Sequence, residues 1–162
     1  MRRTIALTTA LSLLAALALS AAALAGHNRP MTGHFTVAVV PVDQRCGPNA
    51  LTIGFEGAGI ATHLGRMAGS GSNCTEFNLA GGAVAIWDGI STYVAADGSS
   101  ITVSYEGVQS APSGGAATTV TANTVVSGTG RFAGAEGSWE GTGTIDFTTG
   151  LFDGAISGWI GY

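Results

Sequence analysis

The sequence predicts an all-β protein, an antiparallel barrel or sandwich of about eight strands. Three observations carry this. Helix formers are scarce beyond residue 25, and the 162-residue chain contains no Lys. Apolar and polar residues alternate with period two in segment after segment, the signature of half-buried strands. Turn residues punctuate those segments, and 26 residues are Gly. One domain of this length can bury a real core, and closure into a barrel would remove exposed sheet edges.

Residues 1–25 stand apart. Arg2 and Arg3 precede an almost wholly apolar run from Ile5 to Leu24, and Ala23-Leu24-Ala25 ends it with small residues at the two positions a signal peptidase reads. This is the layout of a cleaved secretory signal peptide, which leaves residues 26–162 as a single mature domain. The expected location is secreted, periplasmic or extracellular. No Cys follows the apolar run, which argues against a lipid anchor.

The predicted strands follow in order. The first runs over 34–40 and stops at Pro41. The next two are 50–57 and 59–68, with Gly69-Ser-Gly-Ser-Asn73 as a loop. Strands at 83–88 and 91–96 lead to Asp97-Gly98, the strongest hairpin signal in the chain, because both turn residues tolerate positive φ. In the next strand, 100–108, Ile101, Val103 and Tyr105 oppose Thr102, Ser104 and Glu106. Ser110–Gly115 is a loop. Residues 117–127 form a Thr-rich strand with Val120, Ala122, Thr124 and Val126 on one face. The C-terminal region holds two or three more strands, with Thr149-Gly150 as a turn. A Phe-x-Gly-Ala repeat at Phe55, Phe132 and Phe152 reads as structural, the Phe packing inward and the Gly allowing a bend or close approach.

Cys46 and Cys74 are predicted to form a disulfide, as a lone pair in an oxidising compartment does. Neither has a His or second Cys at metal-ligand spacing, so no metal site is expected. Asn73-Cys74-Thr75 matches a glycosylation sequon, which a bridged Cys74 would make accidental.

Loss of the leader leaves four Arg against ten acidic residues, a net charge of −6. So sparse and negative a surface excludes nucleic acid, which needs clustered Lys or Arg. It also disfavours anionic membranes.

The segment Val126-Ser-Gly-Thr-Gly-Arg-Phe-Ala-Gly-Ala-Glu-Gly-Ser138 resembles a recurring pattern of bacterial secreted proteins, as do Ala61–Gly65, Ala95–Ser99 and the terminal Gly158-Trp-Ile-Gly-Tyr162. That pattern resembles the barrel of allene oxide cyclase and the dirigent proteins, within the lipocalin-like architecture. The resemblance implies an eight-stranded antiparallel β-barrel, often trimeric. It implies no chemistry, since one barrel hosts cyclases, guiding proteins and carriers, and none of the plant cyclase's catalytic residues maps onto this chain.

Among the residues themselves, Gly128-x-Gly130 lacks the third Gly, the helix and the Lys of a phosphate loop. It reads as a hairpin or bulge with Arg131 on the surface. No nucleophile elbow is present. Glu56 and His63 could form an acid/base pair if neighbouring strands bring them together, although a His hydrogen-bonded at the barrel wall is the favoured reading. Trp87, Tyr93, Tyr105, Phe147 and Trp159 fall on strands and could line an apolar pocket. The candidate ligand contacts are therefore Glu56, His63, Trp87, Tyr93 and Tyr105; no catalytic residue and no cofactor is assigned. Three functions stay open. A binding module holding a small apolar molecule in the barrel is favoured, because segments such as Gly57–Ala61 and Ala80–Ala85 are rich in small residues and would leave space. A packed structural or surface-interaction barrel and a cyclase- or dirigent-type enzyme are the others. The oligomeric state is left open.

Overall fold

The computed structural model describes residues 28–76 and 82–162. The leader at 1–25 lies outside them. Eight antiparallel strands follow one another round a closed barrel: β1 (Arg29–Val40), β2 (Ala50–Ala61), β3 (Gly65–Glu76), β4 (Val84–Ala95), β5 (Ser100–Gln109), β6 (Ala116–Gly128), β7 (Glu136–Asp146) and β8 (Leu151–Gly161). β8 closes the barrel on β1 through ten pairs, from Arg29 opposite Ile160 to Ala38 opposite Leu151. Every strand thus has two neighbours and no edge is left.

The count of about eight strands agrees with the sequence, but β1 begins at Arg29 and not at 34, its first residues pairing with β8, and three other boundaries differ, each for a physical reason. The predicted strand 59–68 contains a turn. β2 ends at Ala61, and the chain reverses through His63, which takes a left-handed φ of 67°, and Gly65 at 74°. No Asn-Gly or Asp-Gly pair marks that turn. The predicted loop at 69–73 lies within β3. Its glycines are there for space: a Cβ on Gly69 would stand 2.7 Å from the Tyr93 ring, and one on Gly71 2.7 Å from the Phe55 ring. The two predicted strands 83–88 and 91–96 are one strand with a bulge. Between Ile86 and Gly89 β4 carries one residue more than either neighbour, and Asp88 takes a φ of 50°. A bulge breaks the period-two pattern, so the sequence reads as two short strands.

The more apolar face of β6 is the outer one. Val120, Ala122, Thr124 and Val126 all point outward, while Ala117, Thr119, Thr121 and Asn123 point in.

One end of the barrel is packed solid. Met31, Leu64, Met67, Ile101, Trp139 and Ile160 form its core with Phe132. Phe132 sits on a single 3₁₀ turn, Gly130–Phe132, in the β6–β7 connection. Arg131 ties the loops of this end together: it donates to the Leu64 carbonyl at 2.7 Å and lies 3.4 Å from the Asp97 carboxylate. Tyr162 Oη donates to the His63 carbonyl at 2.9 Å. Gly128-x-Gly130 thus forms a turn, as expected, but Arg131 is a connector as well as a surface residue.

Cys46 and Cys74 are bonded, with Cα atoms 5.5 Å apart. The bond straps the β1–β2 loop onto the outside of β3. Arg45 extends the strap to Asp88 at the β4 bulge, pairing with its carboxylate and its carbonyl. Replacing Cys46 with Ser and Cys74 with Ala should cost about 3 kcal/mol, from the loop the bond closes. Urea unfolding of the double variant measures this, and an unchanged midpoint would refute it. Asn73 is 8% exposed and points into the barrel, so the sequon offers no glycan acceptor in the folded chain.

Two hairpins carry an acid-sensitive cap. Asp97 accepts from the Ser99 amide at 3.0 Å and Asp146 from the Thr148 amide at 2.7 Å. Those backbone bonds, first among the causes, hold both carboxyls below the usual range. A depressed folded pKa stabilises above the unfolded pKa and is lost as pH falls through the folded one. Asp146→Asn should therefore flatten the acid limb of a melting-temperature profile, and an unchanged limb would count against this cap.

Candidate functional site: a half-hollow barrel

Strand alternation sends every second side chain into the barrel, and an eight-stranded interior is just wide enough to be filled or to hold one small ligand. Here the end bearing the 3₁₀ turn is filled and the other half is not. Above Trp139 and Ile156 lies a cavity of about 550 Å³. Its mouth is framed, among the described residues, by Glu76, Ser110, Pro112, Phe147 and Gly150.

The small residues that the sequence offers as space-makers act partly as expected. Of Ala80–Ala85, residues 80 and 81 lie outside the described residues, while Gly82 and Val84 line the cavity, as does Gly141, which the sequence did not single out. Gly57 and Gly59 line a smaller pocket beside its apolar wall and let β2 approach β1, where a Cβ at Gly59 would meet Phe35 Cβ at 2.7 Å. Phe55 and Phe152 of the Phe-x-Gly-Ala repeat point into the cavity, whereas Phe132 plugs the closed end.

The wall has two chemistries. β8, β1 and β2 contribute Phe152, Ile156, Phe35, Val37, Ile53 and Phe55. Phe35 and Phe152 stack at 5.7 Å between ring centroids. β3 to β6 contribute polar groups: Asn73, Ser91, Tyr93, Tyr105, Thr119, Thr121 and Asn123. Tyr105 Oη donates to Asn73 Oδ1 at 3.1 Å. Asn123 Nδ2 donates to Thr121 Oγ1 at 3.0 Å and to the Trp139 carbonyl at 3.3 Å, and the Thr121 hydroxyl donates to the Gly141 carbonyl at 3.4 Å. Among the described residues no buried side-chain polar atom lacks a partner. The polar stripe is therefore pre-organised.

Burial raises the Tyr93 and Tyr105 phenols above the ordinary tyrosine range, and for Tyr105 the neighbouring Tyr93 adds to it; the Ser91 hydroxyl offsets part of both shifts. Both phenols stay neutral, and raising the pH through the ordinary phenol range should leave them unionised until the barrel opens. An alkaline absorbance titration of Tyr93→Phe and Tyr105→Phe would show this: neither substitution should remove amplitude from the early phase. Of the described lining residues Glu76 alone carries a charge, and it stands at the rim.

The structure brings Tyr93 and Tyr105 together in the cavity wall. It does not bring Glu56, His63 or Trp87 there. Glu56 is exposed on the outer face of β2, next to Ser70 of β3. His63 is exposed in the β2–β3 turn at the filled end. The pairing of Glu56 with His63 as acid and base thus has no cavity behind it. Trp87 has the parity of Tyr93, but the bulge between them turns it outward, opposite Cys74. Phe147 stands at the mouth, and Trp159 has the outward parity of β8. The polar residues of that stripe that were missed are Asn73, Ser91, Thr119, Thr121 and Asn123. Tyr105 and the alternation of β5 set the inward register, but nothing in the sequence shows that the polar side of β6 joins it. Among the described residues no group of three or more His, Cys, Asp or Glu stands together as a metal site would need.

No protein-family model matches the chain, and no curated protein matches it. Two solved structures are similar. One, the pterocarpan synthase dirigent protein PsPTS1, has 13% identity and a TM-score of 0.45, covering 83% of this chain and 96% of that one. The other, the pterocarpan synthase dirigent protein GePTS1, has 15% identity and a TM-score of 0.47, covering 85% of this chain and 93% of that one.

Proposed function

We propose that this protein is an exported binding module that takes up one small, mostly apolar molecule in the open half of its barrel. The observation that carries this is the cavity of about 550 Å³, within the ordinary range for small-molecule sites and mostly apolar with a few placed polar groups. The leader-like segment at 1–25 and the Cys46–Cys74 bond support export. The test is native mass spectrometry of residues 26–162, purified after export without detergent, together with a Nile red titration. A small-molecule mass lost on denaturation, or saturable uptake of one dye per chain, is the expected result. A bare mass together with no dye uptake would overturn the reading.

A second reading concerns the outer surface, and one observation favours it. The outward face of β5 and β6 carries a single charge, Glu106, while Val108 and Val120 pair across the two strands at 54% and 48% exposure. Apolar stripes of this kind mark contact faces. In a chain of net negative charge, a face with a single charge is where a second copy meets little repulsion. Val108→Glu with Val120→Glu should convert any self-associated species to monomer in light scattering, with dye uptake unchanged. A wild-type protein that is already monomeric at high concentration would end this reading.

A further inference from the structure

We infer that the ligand is an uncharged, hydroxyl-bearing apolar molecule, held with its hydroxyl edge against β3–β6 and its hydrocarbon side against β8, β1 and β2. This rests on the binding reading above and deepens it. The wall is divided. Aromatic and aliphatic side chains cover one side, and the hydroxyls and amides stand on the other, with Val84 and Ile86 of β4 beside them. A pure hydrocarbon would bury the polar side without giving it partners, which costs free energy.

Charge points the same way. No ionised group lies inside the cavity among the described lining residues, and Glu76 guards the rim. A carboxylate would pass a like charge and find no counter-ion. A cation would be attracted at the rim and abandoned within, since Tyr93 and Tyr105 stay neutral.

The hydrogen-bonding capacity that remains narrows the ligand further. The Tyr105 proton goes to Asn73, both Asn123 amide hydrogens go to Thr121 and Trp139, and the Thr121 proton goes to Gly141. What these groups still offer is oxygen lone pairs, on Tyr105 and on the Asn123 side-chain carbonyl. Lone pairs call for a donor. A ligand hydroxyl supplies one and can also accept from the Ser91, Tyr93 and Thr119 hydroxyls of the same side, while a ketone can only accept. A site built to bond a hydroxyl strongly rejects the analogue lacking it, because its own polar groups are left unpaired.

The test uses a rigid ring system in four forms, each displacing Nile red from residues 26–162: androstanediol, androstanedione, androstane and the anion lithocholate. The diol should displace the dye at least about tenfold more strongly than the dione or the hydrocarbon, with lithocholate weakest. Tyr105→Phe should weaken the diol about tenfold and leave androstane unchanged. The ranking in the unmodified protein stands even if that variant folds poorly. If Nile red binds but the dione or the hydrocarbon matches the diol, or the diol fails to displace the dye, the hydroxyl assignment falls; if lithocholate, which also carries a ring hydroxyl, matches the diol, the requirement for an uncharged ligand falls; in either case the binding reading survives. If neither the dye nor any steroid binds, the binding reading itself has failed.

Discussion

Phe132→Ala should destabilise the barrel by about 3–5 kcal/mol, the range for removing a large, fully buried aromatic side chain. In a domain of this size that is a fall of roughly 10 °C or more in the melting temperature. Phe132 is 1% exposed. Its ring meets Tyr162 edge-on at 5.1 Å between centroids, and the Arg131 guanidinium covers it at 4.6 Å. It closes the filled end against Met31, Ile101 and Ile160, each also 1% exposed or less. The local sequence exists to put it there. Gly130 turns the chain at a φ of 59°, and a side chain at Gly128 would collide with the Phe132 carbonyl. Phe55→Ala offers the internal control. Phe55 faces space that is already open, so its loss creates less new cavity and should cost less. Thermal unfolding of the two variants decides the matter. A Phe132→Ala loss under about 1 kcal/mol, or one equal to that of Phe55→Ala, would mean that the plug does not hold the barrel shut.

The fold was legible because its signals are local. Alternation in β5, the Asp97-Gly98 turn, Pro41 after β1 and the paired cysteines each report on a few residues, and each matches the structure. The site was less legible because it depends on register. Tyr93 and Tyr105 face the cavity, since each sits on a strand whose alternation is regular around it. Trp87 was misplaced by one inserted residue at Asp88, which reverses the facing of everything before it. Asn123 and Thr121 were missed for a different reason. On β6 the more apolar face is the outer one, so a rule that sends apolar residues inward picks the wrong side. Burial is decided by which strands β6 sits between, and that is a property of the closed barrel. Glycine misled in the same way at 69–73, where it marks room for neighbouring rings and not a loop.

Filling the cavity should abolish uptake without unfolding the protein. Ile53 on β2 and Ile145 on β7 both point into the open half and both are partly exposed to it. Ile53→Trp and Ile145→Trp together would insert two indoles where there is now empty volume, so little existing packing must move and new dispersion contacts form. Stability should stay within about 1–2 kcal/mol of the parent. Nile red affinity should fall at least about a hundredfold, because the ligand loses the surface that buries it. The single variants should fall between. This experiment separates inside from outside, which a binding curve alone does not. A dye held on the apolar stripe of Val108 and Val120 would be indifferent to tryptophans within the barrel and would leave when those valines become glutamates. A dye held within would respond the other way round. If the doubly filled barrel is folded and still takes up one dye per chain with parental affinity, the cavity is not the binding site, and the outer face of β5 and β6 becomes the surface that acts.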